Sequence, residues 1–245
     1  MTFYPISAFI LLPTMLILLE VGRRLRKRRG ESEGSAAIEG AIFGLFGLLL
    51  AFTFSGAIAR FDNHRLLLTE EVNDIGTAYL RLDLLPAQTQ PELRQLFRDY
   101  ATSRLHMFDK VGPEITPETE RLQKEIWQKA TAAAASPGAA PDATKLLLLP
   151  ALNNMIDITS SRQNAFNMHP PPVVFWLLFA FCGGSALMAG YSMKSGPNEW
   201  LYSIALAVAV TLTVYTILDV EYPRLGVVRL TSLDGKMLSL RDSMK

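Results

Sequence analysis

The chain has 245 residues, 49% of them apolar, and its mean hydropathy is +0.20. Its 24 Lys and Arg residues and 23 Asp and Glu residues give a formal charge of +1, which excludes a nucleic-acid-binding protein held by a strongly basic face. The single cysteine, Cys182, excludes an internal disulfide framework and a multi-cysteine metal cluster. This composition is typical of a membrane protein.

Four apolar segments are almost free of charged residues: 3–19, 38–59, 173–193 and 200–218. A bilayer core about 30 Å thick needs about 20 helical residues, so each segment is long enough to span it. No basic residue precedes the first segment, which therefore predicts a retained anchor and not a cleaved signal peptide. The sequence predicts an all-α polytopic membrane protein with four transmembrane helices.

Six cations lie in residues 23–29, between the first two segments. Such a cluster marks the cytoplasmic side of a membrane, so it predicts that the polar region after the second segment lies outside. That side stays open, because further arginines lie near the opposite membrane ends. The simplest role for the cluster is contact with lipid headgroups, which makes membrane lipid an expected partner.

Residues 60–169 are polar and have the pattern of a helical extramembrane domain inserted between the second and third spans. Pro91 predicts the start of one helix that ends near Gly112, and Thr116 followed by Pro117 predicts the capped start of another. A third helix is expected over 142–166. The predicted division is 1–59, with the first two spans and the basic loop; 60–169, the helical domain; 170–219, the last two spans; and 220–245, an amphipathic tail.

One apolar face continues from the second span into this domain. Steps of four and three residues from Gly40 lead through small residues and then through bulky apolar ones, and no proline interrupts residues 36–85. The pattern predicts one long helix with a packing seam. Its small part allows close helix approach; the helix-packing candidates are Gly40, Gly44, Gly47 and Ala51.

Two interpretations of the seam remain open. It packs against other helices of the same chain, or copies of it line the axis of a homo-oligomer. In the second case Phe54, Ile58 and Phe61 would form an apolar constriction that gates by dewetting, and Arg65 would face the axis and favour anions. Alone, Arg65 would pair with a nearby carboxylate such as Asp62 or Glu70.

The remaining polar groups predict structural ion pairs. Glu70 and Asp74 lie one helical turn apart, with Arg81 two turns further on, and Asp219, Glu221 and Arg224 follow the last span. The three histidines lack metal-binding spacing, and no serine or cysteine has a partner that indicates a nucleophile. We expect no catalytic residue, metal or cofactor, and an enzyme is not favoured.

The strings GLFGLLLAFTFSGA, RFDNHRLLLTEEVNDIGTAYLRLDLLP and DVEYPRLGVVRL resemble those of the bestrophin-like domain-of-unknown-function family of bacterial four-span membrane proteins. The resemblance covers nearly the whole chain. Bestrophins are pentameric anion channels with a helical domain between the second and third spans, kept in the cytosol. The resemblance therefore implies a homo-oligomer, pentameric if bestrophin-like, in the bacterial inner (plasma) membrane, with an inorganic anion as a partner.

Two functions follow as alternatives. The first is an oligomeric ion channel, anion-conducting as the resemblance implies, with a pore lined by the second transmembrane helix. The second is a non-conducting membrane sensor or assembly protein whose helical domain binds a partner or ligand. The near absence of charge inside the spans favours the second function, since ion pathways often contain intramembrane polar groups.

Overall fold

The structure is a computed structural model that describes residues 4–29, 36–106, 115–136, 142, 144–193, 199–222, 227 and 231–244. These residues are helical or lie in short connections. The helices are α1 (Tyr4–Arg29), α2 (Ala36–Leu80), α3 (Gln90–His106), α4 (Pro117–Ala134), α5 (Leu149–Asn167), α6 (Pro172–Ser192), α7 (Glu199–Glu221) and α8 (Thr231–Ser243).

Local sequence signals account for several of these boundaries. The proline-free stretch forms the single 45-residue helix α2, which tightens into a 3-10 turn over Arg81–Leu84. Thr116 caps α4 by accepting a hydrogen bond from the Thr119 amide, and Pro117 occupies the first turn, as predicted. The predicted third helix of the domain differs, because Thr144–Leu148 form a π-helical turn before α5 begins. The predicted end of α3 at Gly112 lies outside the described residues.

The chain divides into two compact units, residues 1–59 with 169–228, and residues 60–168 with 229–245. In the first unit, α1 packs against α6 and α7 around a core that includes Met15, Leu178, Cys182, Ala207 and Val214. In a bilayer, lipid tails are as apolar as these side chains, so such helices are held together by close van der Waals packing.

In the second unit, the C-terminal part of α2 packs with α3, α4, α5 and α8 around one apolar core. Its fully buried members include Ile75, Leu82, Phe97, Ile126 and Leu152. The C-terminal helix α8 belongs to this unit: Met237 and Met244 are buried in the core, and Leu240 lies beside Gly76. Apolar burial of this extent is the main stabilising contribution to a soluble helical domain.

Three helical segments among the described residues are long and apolar enough to cross a membrane: Ala37–Leu84, Leu146–Ser192 and Trp200–Glu221. They contain the second, third and fourth predicted spans. The span predicted in α1 is not among them, so the four-span count stays a prediction.

Candidate functional site

The membrane half of α2 buries only a narrow stripe against its own chain. Phe46, Thr53 and Ala57 are buried, and the Phe46 ring stacks on Phe181 of α6 with centroids 6.4 Å apart. In the most apolar stretch of α2, 17% of the residues are buried, against 28% and 33% in the other two candidate spans. Helix α2 is therefore the least covered of the three.

The four residues predicted for helix packing, Gly40, Gly44, Gly47 and Ala51, are exposed on the single chain. A Cβ atom built at any of the three glycines would meet no atom within 4 Å. Among the described residues, these three glycines thus have no helix from their own chain to pack against. Their packing role stays a prediction that requires another molecule.

The predicted constriction residues lie beside this bare face. Ile58 is 38% exposed, whereas Phe54 and Phe61 are half-buried. Arg65 is exposed, pairs with Asp62 at 3.6 Å and lies 5.9 Å from the centre of the Phe61 ring. Arg65 thus has the carboxylate neighbour that the sequence indicated, in a pair too exposed to add much stability.

Beyond the membrane half, the seam predicted from Gly40 does meet its own chain. Leu68, Ile75 and Leu82 on the same seven-residue repeat are buried in the helical unit. A straight α-helix drifts by about 20° per seven-residue repeat, so Gly47 and Leu68, three repeats apart, differ by about 60°. The buried position in the membrane half is accordingly Phe46, one residue before Gly47.

Among the described residues, Arg81 does not join Glu70 and Asp74 in the predicted network. Arg81 donates a hydrogen bond to the Leu147 carbonyl, 66 residues away, and Glu70 is exposed. Its neighbour Glu71, which the sequence did not single out, carries the ion pairs instead.

Glu71 is fully buried and binds two arginines from two other helices. Arg104 of α3, 1% exposed, donates from Nε to Glu71 Oε1, and Arg162 of α5, 8% exposed, donates to Oε2. Burial lowers the pKa of the Arg104 guanidinium, since low-dielectric surroundings disfavour its charged form. The carboxylate is what makes burial of these two cations tolerable.

A second buried polar group lies nearby in the same unit. Gln123 Nε2 donates to the Tyr100 hydroxyl and to Thr159 Oγ1, each at 3.2 Å. Burial raises the pKa of Tyr100 above its ordinary value, an effect that the nearby Arg104 partly offsets. The core of the helical unit is therefore crossed by hydrogen bonds that link α3, α4 and α5.

At the end of α7, the predicted acidic corner is buried. The carboxylate of Asp219 accepts a hydrogen bond from the Val227 amide at 2.8 Å, and Glu221 lies 3.1 Å from His169 Nδ1. The His169 ring also packs against Tyr222, with centroids 4.8 Å apart. Arg224 lies outside the described residues, so its predicted part in this corner stays a prediction.

The close glycine contact lies elsewhere in the first unit, between α1 and α6. A Cβ atom on Gly190 would overlap the backbone of Leu19, and one on Gly22 would overlap the backbone near Leu187. Just beyond, Arg26 donates to the carbonyls of Ser192, the last residue of α6, and of the following Met193, at 2.9 and 2.8 Å. One cation of the basic cluster thus caps a neighbouring helix.

A bestrophin-like domain matches residues 8–233, which is most of the chain. The chain belongs to the bestrophin-like family. No curated protein matches its sequence. Crystal structures of a bacterial bestrophin homologue from Klebsiella pneumoniae are similar in fold. One point mutant has a TM-score of 0.78 at 11% identity, covering 98% of this chain and 96% of its own. The form solved by zinc phasing has a TM-score of 0.72 at 14% identity, covering 97% and 98%.

Proposed function

We propose that this bestrophin-like protein is a homo-oligomeric ion channel of the bacterial inner membrane, with a pore lined by the membrane half of α2. The observation that carries the proposal is the bare face of this helix. A face that met only lipid would gain nothing from Gly40, Gly44 and Gly47, whereas small residues allow other helices to approach closely. Copies of α2 around an axis would use both the small residues and the adjacent Ile58.

The four-span architecture is part of the proposal, and the contacts of α1 support it. Along α1, Leu18, Gly22 and Arg26 lie successively beside Gly183, Leu187 and Ser192 of α6, so the two helices run in the same direction. First and third spans of a four-span protein must run in the same direction. The 19 residues of α1 that precede the basic cluster, 4–22, are about 28 Å long at 1.5 Å per residue, close to the thickness of a bilayer core.

The conducted ion and the subunit number are the finer parts of the proposal. Conduction of anions and a pentameric assembly are what the resemblance to bestrophins implies, and Arg65, exposed beyond the apolar positions of α2, is a cation suited to attract anions. Its pair with Asp62 reduces that attraction. A reversal potential in asymmetric potassium chloride shows whether the conducted ion is an anion or a cation.

The sidedness of the helical domain also belongs to the proposal. We assign the basic end of α1 to the cytoplasm, which places residues 60–168 outside, opposite to the cytosolic domain of bestrophins. Cysteine substitution at Ser136, with a membrane-impermeant thiol reagent in intact cells, checks this assignment. Labelling without permeabilisation supports it, and labelling only after permeabilisation reverses it.

The function itself is tested with purified protein in liposomes. We expect a multimer that passes chloride, and a larger leak when Phe54 or Ile58 is replaced by alanine, because a less apolar constriction wets more easily. Trp176→Ala is the matched control, since this aromatic side chain is 73% exposed on another span. A monomer without conductance refutes the proposal, and a multimer without conductance favours the non-conducting sensor or assembly protein.

A further inference from the structure

The proposed pore leaves unused a charged group, Glu71, that is fully buried in the helical unit. Glu71 lies on α2, among the buried apolar residues Leu68, Ile75 and Tyr79, the last two of which belong to the core of the helical unit. Apolar contacts are non-directional and tolerate small rotations of a helix. A carboxylate that binds two guanidinium groups is directional, because each hydrogen bond weakens steeply as its angle departs from linearity.

The two partners of Glu71 come from two different helices. Arg104 of α3 reaches one carboxylate oxygen and Arg162 of α5 reaches the other. Attachment at two points fixes both the rotation of α2 about its axis and its position along that axis. A slip of one residue would bring the exposed Glu70 or the apolar Val72 to this place. The arginines would then face a carboxylate in a new geometry or none.

We propose that Glu71 is a positioning residue that sets the rotation of α2 and thereby decides which residues of this helix face the proposed pore. The inference rests on the proposed function only for its effect on conduction. Helix α2 is continuous from Ala36 to Leu80, and the same helix contains Ile58.

The rotation of α2 can be measured without reference to conduction. Thr77 is exposed and Ala78 is fully buried, so cysteines placed there report on the exposed face and on the buried face of α2. A buried thiol reacts only after local opening, so a charged maleimide should label Thr77→Cys about tenfold or more faster than Ala78→Cys. Cys182 is buried, and the unsubstituted chain gives the background.

The test combines each cysteine with Glu71→Gln, and with Glu70→Gln as the matched control one residue away. We expect the ratio of labelling rates to fall toward one in Glu71→Gln, with helix content retained, and to stay near the wild-type value in Glu70→Gln. An unchanged ratio in Glu71→Gln, or an equal fall in both variants, overturns the inference.

Two further arms keep the test decisive. If Glu71→Gln does not fold, Arg162→Gln leaves Glu71 paired with Arg104 alone, and the ratio should fall there too; an unchanged ratio overturns the inference. In planar bilayers, Glu71→Gln should alter single-channel conductance and Glu70→Gln should not. A lowered labelling ratio with unaltered conductance overturns the positioning role. Absence of current in the wild-type protein refutes the proposed function, and the labelling ratio alone then tests whether Glu71 sets the rotation of α2.

Discussion

Replacement of Gly190 by alanine tests the close contact of α1 and α6 that underlies the four-span proposal. The added Cβ atom would overlap the carbonyl oxygen, carbonyl carbon and Cα of Leu19, which are backbone atoms that cannot move without shifting the helix. Overpacking costs about 1–3 kcal/mol, and a backbone clash belongs at the upper end. The gain in helix propensity from Gly to Ala is about 1 kcal/mol, leaving a net loss of about 2 kcal/mol.

The assay is thermal unfolding of the purified protein in detergent. A net loss of about 2 kcal/mol lowers the melting temperature by about 4–8 °C for a chain of this size. Gly184→Ala is the matched control on the same helix, because a Cβ atom there meets nothing within 4 Å, and its melting temperature should equal or exceed that of the wild type. Equal melting temperatures for the two variants would refute the close backbone contact.

Three further predictions concern a core leucine, a buried tyrosine and the arginine that contacts the end of α6, each compared with a control. Leu152→Ala in the helical core should cost about 2–5 kcal/mol in denaturant unfolding, and Leu146→Ala, 74% exposed, should change stability by less than about 0.5 kcal/mol. Burial raises the pKa of Tyr100, so its neutral form stabilises the fold below about pH 10, and this contribution is lost as pH rises through the raised value. The urea midpoint should therefore fall more between about pH 9 and about pH 11 in the wild type than in Tyr100→Phe. Arg26→Gln removes two hydrogen bonds to the end of α6 and should lower the thermal midpoint, whereas Lys27→Gln, on the exposed side of α1, should not; equal shifts would contradict the capping role.

Local signals in the sequence predicted the elements that depend on few residues. The long helix α2 follows from the absence of proline over 36–85, and the start of α4 follows from Thr116 and Pro117. The family was recognisable from three short strings, and the domain match over residues 8–233 confirms it.

The ion pairs of the helical unit could not be predicted in this way. Spacing on one helix favoured Glu70 and Asp74, because they lie one turn apart. The partners of Glu71 lie 33 and 91 residues away, and which carboxylate meets them depends on which face of α2 is buried. Glu70 and Glu71 are neighbours in the sequence. A seven-residue repeat drifts by about 20° per repeat, so over a long helix it cannot predict which of the two is buried.

The glycine contacts illustrate the same difficulty. The regular spacing of Gly40, Gly44 and Gly47 predicted helix packing, yet among the described glycines the backbone contact occurs at Gly22 and Gly190, which belong to no repeat. Close approach depends on where two helices cross, and that is a property of the tertiary structure. The sequence alone contains no signal that pairs these two positions.

The most direct test of the α2-lined pore is block of current by thiol modification. Cysteine at Ser55 or Ile58 lies on the exposed face of α2, whereas cysteine at Thr53 lies on the stripe buried against the chain's own helices. In planar bilayers, the account predicts that a charged methanethiosulfonate blocks current through the Ser55→Cys or Ile58→Cys protein and leaves the Thr53→Cys and wild-type currents unchanged. No current at all, or a current insensitive to modification at both exposed positions, would contradict it.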